Sequence, residues 1–97
     1  MELIDEVKAA LRVKSNDDGI LAEINTLILA AESDLISCGI IKPTNYTSDS
    51  ASLFRMAVIM YCKANFGYDN PDAPRFAETY TWIKHKMMHT EEYRDEI

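Results

Sequence analysis

Basic residues are never gathered in this chain. The tightest grouping is Lys84-x-Lys86, and sixteen acids outnumber ten Lys and Arg to give a net charge of −6. Neutralising phosphates needs a basic face, so direct binding of nucleic acid is disfavoured. Long apolar runs are missing too: none approaches the roughly 18–20 residues that span a bilayer. The first residues are acidic (Glu2, Asp5) with no basic region before them, so no secretory signal is expected, and the expectation is a soluble, intracellular protein. Glycine occurs three times, as Gly19, Gly39 and Gly67, each alone, so no phosphate-cradling loop is present. Cys38 and Cys62 fit neither a C-x-x-C nor a zinc spacing; two buried thiols are expected rather than a disulfide.

What the chain does contain is helical periodicity. Leu3, Ile4, Val7, Ala10 and Leu11 make one apolar stripe over residues 2–13, with acids in the first turns and Lys8 and Arg12 later, as the helix dipole favours. The cluster Ser15-Asn16-Asp17-Asp18-Gly19 is rich in capping residues and should start a second helix that runs to Cys38 and stops at Gly39. Ile20, Ile24, Leu27, Ile28, Ala31 and Leu35 give that helix its core face. Leu21, Leu29 and Ile36 add apolar surface off that face, which marks a helix that is central or meets a second partner. Residues 40–52, with Pro43 and Ser48-Asp49-Ser50, read as a loop. A third helix over residues 51–66 has the fewest polar positions and should be the buried, central one. A fourth, over residues 72–89, carries Phe76, Tyr80, Ile83 and Met87 on one side. No strand-like alternation persists. The expected fold is all-α: one four-helix domain over residues 1–89, followed by a short acidic tail over 90–97. Its core should include Val7, Leu11, Ile24, Ile28, Ala57, Tyr61 and Ile83.

Catalytic and metal chemistry find little support. His85 and His89 stand one turn apart, but Lys84 and Lys86 flank them with like charge and no full ligand set is evident; two solvent-exposed histidines are expected. Asp17-Asp18, Glu91-Glu92 and Asp95-Glu96 are carboxylate pairs on turns or the tail, where capping or solvation explains them. No nucleophile constellation can be assembled, so no catalytic, cofactor or metal residue is assigned and an enzyme is not expected.

Surplus apolar and aromatic surface is the positive signal. Trp82 is rotated by about 100° from Ile83 and hence off the fourth helix's core stripe. It is either an edge cover for the core or an interface anchor. The candidate interface residues are Leu21, Leu29 and Ile36 on the second helix, Tyr68 and Trp82 among the aromatics, and Tyr93, Arg94 and Ile97 in the acidic tail. Residues 90–97 are expected to be mobile until a partner orders them.

The corner Lys63-Ala64-Asn65-Phe66-Gly67-Tyr68-Asp69-Asn70-Pro71-Asp72-Ala73-Pro74-Arg75-Phe76 packs a helix stop, a turn and a helix start into one short stretch, with Gly67 expected at positive φ. Taken from Tyr61, and with the N-terminal helix Leu3–Arg12 and the second helix ending near Gly39, this corner resembles the small head-tail connector (DNA-packaging adaptor) proteins of long-tailed bacteriophages and prophages. The resemblance implies a homo-oligomeric ring below the portal vertex, bridging it to the tail or a stopper protein and letting DNA pass through its centre. It implies a place at the virion head-tail junction, with assembly in the host cytoplasm. It also implies a C-terminal segment that reaches toward the portal. From the residues alone a second reading stays open: a small acidic helical regulator that sequesters one protein partner. A ring subunit needs two complementary faces, whereas such a regulator needs one.

Overall fold

Leu3–Leu11 forms the first helix, α1, with Asp5 and Glu6 in its first turn and Lys8 in its last. The computed structural model describes residues 3–14, 16–46, 51–67 and 70–94, with Glu92 described in its backbone alone. The second helix, α2, spans Asp18–Ser37. From the capping cluster the structure selects Asp17, whose carboxylate accepts from the backbone N–H of Gly19 at 2.9 Å and of Ile20 at 3.2 Å. Two donors that an α-helix leaves orphaned are thereby satisfied.

The ends of α1 and α2 close by one pattern. Val13 N–H donates to the Lys8 carbonyl and Arg12 N–H to that of Ala9; Ile40 N–H donates to Leu35 and Gly39 N–H to Ile36. Each is a Schellman motif, with the left-handed position at Arg12 (φ +60°) in α1 and at Gly39 (φ +82°) in α2.

The third helix, α3, spans Ser52–Asn65 and the fourth, α4, spans Ala73–Met88. Among the described residues there is no strand, and the all-α architecture of four helices is observed. As expected, α3 is central: it contacts α1, α2 and α4, and it buries Phe54, Ala57, Val58 and Cys62. Around it close Val7 from α1, Ile24, Ala31 and Leu35 from α2, and Ile83 and Met87 from α4. Hiding an aromatic or aliphatic side chain of this size from water contributes about 1.5–3 kcal/mol each. Of the expected core residues, Leu11 and Tyr61 are half-buried rather than enclosed. Leu11 lies in the last turn of α1, and Tyr61 sits at the α3–α4 rim, where its ring meets that of Tyr80 edge-on at 5.3 Å.

The corner between α3 and α4 has Gly67 at φ +83°, as its sequence predicts. The Asn70 side-chain amide donates to the Lys63 carbonyl at 2.7 Å and so covers an exposed end of α3. Pro74 stands in the first turn of α4, where a missing N–H costs nothing. After α4 the chain does not leave the domain at once. Glu91–Tyr93 form a short 3₁₀ turn, and Arg94 pairs with Ile40 in an isolated antiparallel bridge, with Ile41 N–H donating to the Tyr93 carbonyl at 2.8 Å. The segment expected as a free tail is thus tied to the fold through residue 94. Asp95, Glu96 and Ile97 lie outside the described residues, as do Tyr68 and Asp69 in the corner.

Candidate functional site

From Ala22 onward, six exposed residues of α2 (Ala22, Asn25, Thr26, Leu29, Ser33 and Ile36) share an outward face with no charge among them, bounded by exposed Asp18 at its N-terminal end and Glu23 at its edge. Leu29 is 63% and Ile36 49% exposed, high for side chains of this kind. An ordinary solvated helix face carries Lys and Glu, and depletion of charge is instead the mark of an interface core. The Thr26 hydroxyl donates to the Ala22 carbonyl at 2.9 Å, so this polar group is satisfied inside the helix and can be covered without loss. Leu21, expected on the same surface, is half-buried.

Trp82 on α4 is 63% exposed, and Lys86 Nζ lies 5.2 Å from its ring centre. This indole does not cover the core edge; it projects.

The side chains that join α2 to α4 fix where these two patches point. On α2, Asp34 receives hydrogen bonds from the Tyr80 hydroxyl and from Lys84 Nζ, the latter at 3.0 Å. Asp34 therefore marks the α4 side of α2, and Tyr80 and Lys84 mark the α2 side of α4. At about 100° per residue, Leu29 and Ile36 lie roughly 140–160° around α2 from Asp34, and Trp82 lies roughly 160° around α4 from Lys84. Leu29 and Ile36 on α2 and the lone indole of Trp82 on α4 therefore face away from each other on opposite flanks.

The Asp34–Tyr80–Lys84 group is a cross-link that the sequence did not disclose. The phenol's hydrogen bond, aided by Lys84 and opposed by burial, holds the Asp34 carboxyl below its ordinary value, and burial followed by the Asp34 contact pushes the Tyr80 phenol far up. A second cross-link lies around Glu32, which is buried on α2. It accepts from the Tyr46 hydroxyl and pairs with Lys42 at 3.4 Å, while Arg55 donates to the Tyr46 carbonyl and lies 3.5 Å from Glu6. Burial and the Glu32 contact raise the Tyr46 phenol likewise. Both groups pin helices together. Cys38 and Cys62 are free thiols, and burial pushes Cys62 up to about 12, where it stays protonated and unreactive. His85 and His89 are both exposed.

In the tail, Tyr93 is half-buried and packs against the core of its own domain, while Arg94 is exposed. Tyr68 and Ile97 are not among the described residues.

Fold and surface together define a small all-helical module with exposed Leu29 and Ile36 on one flank and an exposed Trp82 on the opposed one. A family model described as phage connector protein matches residues 3–94, nearly the full chain, and the protein belongs to that family. No curated protein and no solved structure matches it. No helix among the described residues is long and apolar enough to cross a membrane.

Proposed function

We propose that this connector-family chain is the subunit of a homo-oligomeric ring seated below the portal, joining the capsid to the tail or a stopper protein, with DNA passing through the central hole. It acts as a structural piece at the head-tail junction and catalyses no reaction. The observation that carries this reading is the opposition of the two patches: Leu29 and Ile36 face one flank, Trp82 the other. Unlike patches on opposite flanks favour heterologous, head-to-tail contact, which closes into a ring when the rotation allows. The net charge of −6, repeated in every subunit, suits a passage that repels phosphates and lets the duplex slide.

Sedimentation velocity of the protein over a concentration series, alone and with its portal, tests the proposal. Concentration-dependent assembly is expected, and Trp82→Ala and Leu29→Ser should each weaken it while leaving the helical circular dichroism intact. A chain that stays monomeric at high concentration, with and without the portal, would overturn the ring. A single one-to-one complex with some other protein would favour the regulator instead.

A further inference from the structure

At the end of the molecule where α1 stops and α3 turns into α4, an open cleft of about 510 Å³ gathers Arg12, Lys63 and Arg75 around Phe66 and Phe76. The Phe76 ring organises two of these cations, with Lys63 Nζ 4.5 Å and the Arg75 guanidinium 5.3 Å from its centre. The third arrives by an unusual route, because Arg12 holds a left-handed backbone conformation that a residue with a side chain rarely adopts. Among the described residues one acid lines the cleft with the three cations: Asp72, whose carboxylate is 3.9 Å from Arg75 across an exposed surface. Among the described residues, neither Arg12 nor Lys63 has an ion-pair partner. Like charges converging on a concave space repel one another unless an anion enters, and here they converge in a chain with six more acids than bases.

We propose that this cleft is the receptor for the acidic C-terminal segment of a second copy of this chain, residues 91–97, so that carboxylates of Glu91, Asp95 and Glu96 meet Arg12, Lys63 and Arg75 while Ile97 lies on the Phe66 and Phe76 rings. The inference rests on the head-to-tail association argued above and adds a polar contact to it. A subunit cannot fill its own cleft with its own Glu91. The 3₁₀ turn is tied to Ile40 and Ile41 beyond the C-terminal end of α4, while Arg75 and Phe76 stand in its first turn. Those two ends of a 16-residue helix are about 24 Å apart. A neighbour brings the segment to the cleft. Duplex DNA is the poorer occupant, because its phosphates would need a continuous basic track and would meet the acidic remainder of the surface.

The probe is a labelled peptide with the sequence of residues 89–97, titrated against the full-length protein by fluorescence anisotropy. Saturable binding is expected that weakens as salt rises and falls about tenfold in Arg75→Glu and in Lys63→Glu. Arg75 is exposed and Lys63 half-buried, and circular dichroism checks that each variant folds. Equal affinity in the variants, or no binding to the wild-type protein at low salt, would overturn the cleft as receptor. Binding of a short DNA duplex that depends on Lys63 and Arg75, in place of the peptide, would overturn it in favour of phosphate recognition. The two proposals fail separately. Peptide binding, together with self-association that Trp82→Ala and Leu29→Ser leave unchanged, would keep the cleft and remove the two flanks as the contacts of the ring. Assembly that ignores both charge reversals, with no peptide binding, would do the opposite.

Discussion

Both α1 and α2 close by the same pair of backbone hydrogen bonds, yet the left-handed position is Arg12 in one and Gly39 in the other. At Gly39 the conformation carries no side-chain penalty, and the next residue, Ile40, goes straight into the core at 2% exposure. At Arg12 the backbone strain is of order 1 kcal/mol, and the following Val13 is half-buried. One end is built to stop a helix. The other stops a helix and, at a cost in stability, delivers a guanidinium to a cleft that already holds Lys63 and Arg75.

The largest effect expected from this contrast is in the residues that follow each left-handed position. Ile40→Ala should destabilise the fold by about 2–4 kcal/mol in urea unfolding, whereas Val13→Ala should cost less than about 1 kcal/mol. Equal losses would erase the distinction. Next comes Gly39→Ala. A Cβ at this position meets nothing within 4 Å, so the whole penalty, about 1 kcal/mol, is backbone strain. Arg12→Gly should move the other way and stabilise the fold by about 0.5 kcal/mol, strain relief being partly offset by the freer unfolded chain. The same variant should weaken binding of the acidic peptide, and Arg12→Ala should weaken binding without the gain in stability.

The smallest effect is electrostatic and tests how α2 is held to α4 before it reaches Gly39. The Asp34 carboxyl is depressed below its ordinary 3.8 in the folded protein, chiefly by the Tyr80 hydrogen bond. The unfolded chain therefore binds this proton more readily, so the stabilisation is present above about pH 4 and is lost as pH falls through the lower, folded value. Asp34 is partly open to solvent, which screens the interaction and keeps the effect modest. Thermal unfolding below pH 4 should be less pH-dependent in Asp34→Asn than in the wild-type protein.

How much of this was legible beforehand follows from the range of the interactions. Helices announce themselves locally: the stripes of α1, α3 and α4, and the stop at Gly39, are written within a few residues. The exposure of Trp82, Leu29 and Ile36 was readable for the same reason, since rotation per residue tells which side a residue leaves the core. The Asp34–Tyr80–Lys84 and Glu32–Tyr46 cross-links were not readable, because each depends on how helices dock and joins residues far apart in sequence. Arg12 gave no warning either, as the usual Gly or Asn signal for a left-handed cap is absent there. Its place in an acidic tail marks Tyr93 as a candidate partner contact; the docked fold packs it against its own core.

The bridge between Ile40 and Arg94 has a consequence for the order in which the chain assembles. α3 and α4 are consecutive along the chain and pair across a short corner, a contact with little loop entropy to overcome. The bridge instead joins the loop after α2 to the last residue described, and it exists only once the helices between them have docked. By that argument it is expected to close late and to open before the helices separate. The Ile41 amide, which donates to the Tyr93 carbonyl, is a proton whose exchange rate reports that opening apart from global unfolding.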